Sequence, residues 1–98
     1  MFVKIHKATR YVVAICDEDL LGKKFEEGER GLDMTGTFFR GEIKTNQEVE
    51  ELMRDMVRED ASFNIVGKTA CGMAIDVGLI DEKNMIYISG VPIALTLL

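Results

Sequence analysis

The segment TNQEVEELMRDMV, residues 45–57, constrains the fold more than any other part of the sequence. Thr45 followed three residues later by Glu48 is the signature of a capping box, in which each side chain binds the other residue's backbone amide. Beyond it, apolar residues recur at the spacing i, i+3, i+4, i+7, i+8, namely Val49, Leu52, Met53, Met56 and Val57. Because a helix with one apolar face must bury it against another layer, the rest of the chain has to supply that layer.

Segments near both ends of the chain have the patterns of β-strands and can form this layer. Residues 2–7 alternate between apolar and polar, and residues 11–16 are apolar almost throughout. The short reversal between them predicts an N-terminal β-hairpin. Near the other end we predict strands at 85–88 and 93–98, separated by a bend at Gly90-Val91-Pro92.

The middle of the chain carries weaker signals. From these we predict one helical turn at 17–22 with Asp17 as its N-cap, a flexible loop at 26–31, one or two irregular strands within 32–44, a short strand at 63–66, and a second helix at 68–77. Together the elements predict an α+β fold in which two main helices pack on a mixed β-sheet, with an N-terminal β-hairpin and C-terminal β-strands. A chain of 98 residues is expected to form a single domain, residues 1–98.

Composition excludes several classes of function. The longest apolar runs are far below the roughly 20 residues that span a bilayer, so we expect no membrane partner and a cytoplasmic location. Cys16 and Cys71 lie far apart, and His6 is the only histidine. Because zinc sites need about four such ligands, we expect no metal and no cofactor, and both cysteines are interpreted as buried apolar residues.

Basic residues are concentrated in the first half of the chain. The net charge is −5, yet residues 1–44 balance eight basic residues against eight acidic ones, so only this half can supply a local basic surface. Within it, FFRGE (residues 38–42) places two phenylalanines on a predicted strand, where they must face opposite ways. We select Phe39, Arg40 and Lys44 as candidate binding residues, with the exposed ring stacking on a base. The alternative is a ring that packs under a loop or a partner subunit.

The tripeptide Gly67-Lys68-Thr69 resembles the end of a nucleotide-binding P-loop, which requires a second glycine five residues before Gly67. Ser62 stands there, so we exclude a P-loop. Gly67 and Lys68 remain candidates for a phosphate or carboxylate site at a helix N-terminus. The acidic residues Asp17, Glu18 and Asp19 are interpreted as helix-capping groups rather than a metal or acid–base cluster, and His6 as a surface residue. We identify no catalytic residues.

Four motifs, in this order and at these distances, resemble the archaeal family called domain of unknown function 424. They are VAICDEDLLGKKFEEG (13–28), FFRGE (38–42), NIVG (64–67) and GVP (90–92). The resemblance implies a small stand-alone archaeal protein without an established activity but with a link to translation or RNA. It assigns Asn64 and Gly67 to a shared structural corner, and Asn64 therefore joins the candidate residues. Two positions depart from the family pattern: Phe39 replaces a tyrosine, and Ile93 replaces a polar residue, often histidine.

These observations lead to three hypotheses. The preferred one is a non-enzymatic cytosolic binding module whose partner is RNA or a translation-related ribonucleoprotein. The second is a binder of phosphate or another small anion, or a minor enzyme, that uses the helix start at Gly67 and Lys68. The third is a structural subunit that forms a homodimer through the C-terminal strand, Leu95 to Leu98.

Overall fold

Two helices pack on a mixed sheet, which confirms the predicted α+β class. The computed structural model describes residues 1–96, so the predicted end of the last strand at residues 97 and 98 lies outside the described residues. The elements are β1 (Phe2–His6), β2 (Val12–Cys16), β3 (Lys24–Glu27), β4 (Arg30–Asp33), β5 (Glu42–Ile43), α1 (Asn46–Arg58), β6 (Ser62–Val66), α2 (Lys68–Asp76), β7 (Ile86–Ile88) and β8 (Val91–Thr96). Neither helix is long and apolar enough to cross a membrane.

The main sheet has six strands in the order β5-β1-β2-β6-β8-β7. The predicted N-terminal hairpin is confirmed, with β1 antiparallel to β2. β2 and β6 run parallel, since the chain crosses over through α1 between them, and the other strand pairs of this sheet are antiparallel. The short strand predicted at 63–66 is therefore an inner strand of the sheet.

Helix α1 forms as its sequence predicts. The Thr45 hydroxyl accepts a hydrogen bond from the Glu48 amide at 3.2 Å, and the Glu48 carboxylate accepts one from the Thr45 amide at 2.9 Å. Val49, Met53 and Met56 are buried in the main core. That core lies between the helices and the sheet, and α2 adds Ala70, Cys71 and Ala74 to it. Both cysteines are free and buried, as predicted.

A second, smaller core lies on the opposite face of the sheet, at one end of it. It contains Cys16, Leu20, Met34, Val66, Ile88, Val91 and Ile93. A 3-10 turn at Glu18–Leu20 and the hairpin formed by β3 and β4 cover this second core.

The prediction of a flexible loop at residues 26–31 was wrong, because these residues belong to the β3–β4 hairpin. Gly28 has a φ of +62°, which suits a two-residue turn between paired strands. Phe25 and Leu32 pack against the second core and thereby hold the hairpin on the sheet. The Ser89 amide also donates a hydrogen bond to the Glu27 carboxylate at 2.8 Å. These long-range contacts have no signature in the local sequence.

The region 32–44 is less regular than predicted. Strand β5 has only two residues, and Phe38 and Phe39 lie in a turn rather than in a strand. The chain returns from this turn through Gly41, which passes so close to β1 that an added Cβ would overlap the Val3 carbonyl. A glycine is therefore required where this segment joins the sheet edge.

The homodimer predicted through the C-terminal strand has no support in this arrangement. β8 pairs with β7 over Val91 to Ile93 and with β6 over Ile93 to Thr96, so Ala94 to Thr96 pair with β6 alone. The last two residues of the predicted interface, 97 and 98, lie outside the described residues.

Candidate functional site

The first candidate region is the N-terminus of α2, where Gly67 and Lys68 were predicted to bind an anion. The Asp17 carboxylate already occupies this position: it accepts hydrogen bonds from the Thr69 amide at 3.0 Å and the Ala70 amide at 2.8 Å. Asp17 was predicted to cap its own short turn, but its side chain makes no cap there and instead caps a helix about 50 residues further on. These two amides at the helix start are therefore bonded to the Asp17 carboxylate of the same chain and are not free to bind an external anion.

Gly67 makes this internal cap sterically feasible. Its φ is +112° and its ψ is 155°, a combination that side chains disfavour. A Cβ at this position would overlap the Asp17 carboxylate. The Gly67 amide donates to the Pro92 carbonyl at 2.9 Å, so the helix start, the end of β2 and the beginning of β8 meet at one corner.

The acidic residues and the protonated thiol near the helix start do not favour an anion-binding or reactive site there either. Lys68 lines a cavity of about 310 Å³, but Asp17 and Asp19 line it as well. Burial, together with the Asp17 charge, raises the pKa of Cys71 to about 12, so its thiol stays protonated at neutral pH. Within residues 1–96 no group of three or more potential metal ligands lies together, Asp17–Asp19 included.

The second candidate region lies at the outer edge of β1, and we call Lys4, Arg40 and Lys44 together the basic edge. These three residues line a cavity of about 460 Å³ together with one acidic residue, Glu42, and an apolar wall that includes Ile5 and Leu52. Lys44 pairs with Glu42 at 3.3 Å. Among the residues that the structure describes, neither Lys4 nor Arg40 forms an ion pair, and the Lys4 ammonium donates one hydrogen bond to a backbone carbonyl. The charge of Arg40 therefore remains available to a ligand, and Lys4 keeps two of its three donors.

The exposed aromatic ring beside the basic edge belongs to Phe38 rather than to Phe39, which was selected from the sequence. Phe38 is 42% exposed, whereas Phe39 packs against the second core. The reason is that both lie in a turn, where strand alternation does not apply. Phe38 stacks on the His6 ring with centroids 4.5 Å apart and an interplanar angle of 15°.

Two side chains of β1 hold the Phe38 turn in place. The Lys4 ammonium donates to the Thr37 carbonyl at 3.0 Å, and His6 Nε2 lies 2.9 Å from the Phe38 carbonyl. Because a carbonyl only accepts, Nε2 is the donor in this contact. Lys4 and His6 were not selected from the sequence: they lie more than 30 residues from the turn, and no local pattern connects them to it.

Asn64 lies apart from Gly67, on the face of the sheet that points away from the helices. It is half-buried in β6, beside Ala14 of β2 on one side and Leu95 of β8 on the other. Lys4 is the partner of Ala14 on the next strand. The structure thus divides the predicted site residues: Arg40 and Lys44 lie together, Gly67 and Lys68 form a second group, Asn64 shares a sheet row with Lys4, and Phe39 packs against a core.

Comparisons with known proteins give a family and a fold. The family described as "Protein of unknown function (DUF424)" matches residues 6–97, nearly the whole chain. An uncharacterized conserved protein from Methanopyrus kandleri, known from its crystal structure, is similar with a TM-score of 0.80 and 26% sequence identity, over 97% of this chain and 88% of that one. No curated protein matches the sequence.

Proposed function

We propose that this chain, which belongs to the DUF424 family of proteins of unknown function, is a non-enzymatic module that binds RNA through its basic edge. The observation that supports the proposal best is the grouping of Lys4, Arg40 and Lys44 around one cavity in a chain of net charge −5. Nothing in the overall charge favours this grouping, and a local basic surface of this kind supports polyanion binding there.

The charge of this surface suits a phosphate backbone. Lysine and arginine side chains bind nucleic acids by neutralising phosphates and releasing condensed counterions. Arg40 presents a planar group that can bind phosphate with two hydrogen bonds, while Lys4 and Lys44 act as point charges. The aliphatic wall formed by Ile5 and Leu52 gives the sugar of a nucleotide an apolar surface beside these charges.

The exposed Phe38 ring adds an interaction that simple anions do not need. Its stacking on His6 fixes the orientation of the ring in advance, so a base that stacks on it costs little additional ordering. Cations beside a prearranged aromatic ring favour RNA over inorganic phosphate. We place the partner among cytoplasmic RNAs or translation-related ribonucleoproteins.

The direct test is fluorescence anisotropy with labelled single-stranded RNA at several salt concentrations. Wild-type protein should bind at low salt, with an affinity that falls as salt rises. Arg40→Gln and Lys44→Gln should each weaken binding. Each should also reduce the slope of log affinity against log salt by about 0.7 for every phosphate that the variant no longer neutralises.

The matched control is Arg30→Gln. Arg30 is an exposed cation on the β3–β4 hairpin, which covers the sheet at the second core and lies outside the basic edge. Its replacement removes the same charge and should leave the salt slope unchanged. Absence of binding at low salt, or an equal effect of Arg30→Gln and Arg40→Gln, would refute the proposal.

A further inference from the structure

We infer that Asn64 forms hydrogen bonds to the edge of a base, and that the bound RNA is single-stranded and prefers adenine at this position. The inference rests on the proposed RNA binding and extends it from the phosphate backbone to the bases. It depends on three features of Asn64: its unused hydrogen-bonding groups, its neighbours, and its distance from the basic edge.

Asn64 is an unusual residue for its place in the sheet. Asparagine is depleted in β-strands, and β6 is an inner strand with partners on both sides. Within residues 1–96 the Asn64 side-chain amide makes no hydrogen bond, although it is half-buried. Its flanking side chains, Ala14 and Leu95, have no polar atoms, so the amide keeps both its donors and its acceptor for a ligand.

One neighbour of Asn64 provides an apolar surface for a flat ring. Ala14 is fully buried on one side of the amide, and Leu95 is 58% exposed on the other side. An exposed leucine on a sheet face is a surface on which the face of a base can pack. The apolar surface for a base therefore lies on the Leu95 side of the amide.

The basic edge lies within reach of the same row of residues. Lys4, Ala14 and Asn64 occupy successive positions across β1, β2 and β6. Two strand spacings separate Lys4 from Asn64, a distance of about 10 Å. An RNA strand whose phosphates contact Lys4 can therefore place a base over Asn64.

The chemistry of the amide selects the base and the form of RNA. A carboxamide pairs a donor and an acceptor with N7 and N6 of adenine, whereas a carboxylate accepts from N4 of cytosine. In duplex RNA the adenine edge that carries N6 and N7 lies in a deep, narrow groove that side chains cannot enter. Recognition by Asn64 therefore requires unpaired bases.

The test measures competition between oligo-A and oligo-C, and between single-stranded and duplex RNA, for Asn64→Asp and Asn64→Ala. Wild-type protein should prefer oligo-A over oligo-C at least about fivefold, as expected for a bidentate contact. Asn64→Ala should bring the ratio close to one, and the nearly isosteric Asn64→Asp should shift it about tenfold towards oligo-C.

The control is Asn84→Asp, which adds the same negative charge at an exposed position in the 3-10 turn Glu82–Asn84. It should weaken the binding of both oligonucleotides equally and leave the ratio of their affinities unchanged. Equal ratios for Asn64→Asp and Asn84→Asp, or duplex RNA bound as tightly as single strands, would overturn the inference while the proposed function stood. A wild-type protein that binds no RNA would overturn both.

Discussion

The helix start at Gly67 and the basic edge look alike in the sequence and differ in the fold. Each has a basic residue next to a glycine, Gly67-Lys68 in one and Arg40-Gly41 in the other, and each glycine permits a close approach. At the helix start, the approaching group is the Asp17 carboxylate, which satisfies the amides. At the basic edge, the approaching group is the neutral backbone of Val3. Whether a basic segment stays available for a ligand therefore depends on a residue far away in the sequence.

The largest effect should come from a substitution that breaks the internal cap sterically. Gly67→Ala introduces a Cβ that overlaps Asp17, at a φ of +112°. We expect the free energy of unfolding to fall by about 3 kcal/mol, measured by urea denaturation. The control in the same helix is Gly72→Ala, whose Cβ would meet no atom within 4 Å. It should instead stabilise the protein by up to about 1 kcal/mol because alanine favours helix. Similar results for both variants would contradict the role assigned to Gly67.

Removing the Asp17 carboxylate should make the helix start, like the basic edge, available to an external anion. Asp17→Ala leaves the Thr69 and Ala70 amides without their acceptors. The free energy of unfolding should fall by about 2 kcal/mol. Inorganic phosphate should then raise the melting temperature of the variant more than that of the wild-type protein, because the exposed amides can bind it. Asp19→Ala, from the same turn, should show neither effect. Equal phosphate responses of wild type and Asp17→Ala would mean that the carboxylate does not block the helix start.

At the basic edge, substitutions of the two adjacent phenylalanines should have different effects: one should lower stability, and the other should lower RNA affinity. Phe39 packs on the second core, so Phe39→Ala should cost about 1–2 kcal/mol of stability. Phe38→Ala removes an exposed ring and should change stability by less than about 1 kcal/mol, while it weakens RNA binding through the loss of stacking worth about 1–3 kcal/mol. Denaturation and anisotropy on the same samples measure both quantities. A variant Phe38→Ala that binds RNA as tightly as wild type would exclude this ring from the interface.

The smallest effect is an alkaline one at the helix start. Burial raises the pKa of Cys16 to about 11 and that of Cys71 to about 12, from an ordinary value of 9.0, and the Asp17 charge adds to both shifts. Below pH 9 each thiol is protonated in both states, and its contribution to stability is fully present. Above pH 9 the thiol ionises in the unfolded state but not in the folded state, so this contribution is lost as the pH rises towards the folded pKa. At about pH 9 the loss should be about 0.4 kcal/mol for each thiol.

Urea denaturation at about pH 7.5 and at about pH 9 measures this loss, and the double variant Cys16→Ala, Cys71→Ala is the control that lacks it. Because Asp17 contributes to both pKa shifts, Asp17→Ala should show a weaker alkaline dependence than wild type above about pH 10. A double variant with the same alkaline loss as wild type would assign that loss to other groups.

Most of the fold could be predicted because its signals are local. The capping box at Thr45, the spacing of Val49 and Met53, and the apolar run of β2 each fix an element from consecutive residues. The β3–β4 hairpin was missed because only Phe25 and Leu32 distinguish it from a polar loop, and their burial depends on the second core.

The candidate site was predicted less completely for the same reason. Arg40 and Lys44 were selected because the basic residues are concentrated in the first half of the chain. Lys4 and His6 were missed because they contact the turn before Arg40 only through the fold, from more than 30 residues away in the sequence. The sequence alone determined the elements, the apolar faces and the set of charges, because hydrophobic periodicity and capping act over a few residues. Only the tertiary structure decided that Asp17 caps α2 while Arg40 keeps its charge available, since strand order brings residues together that are distant in the chain.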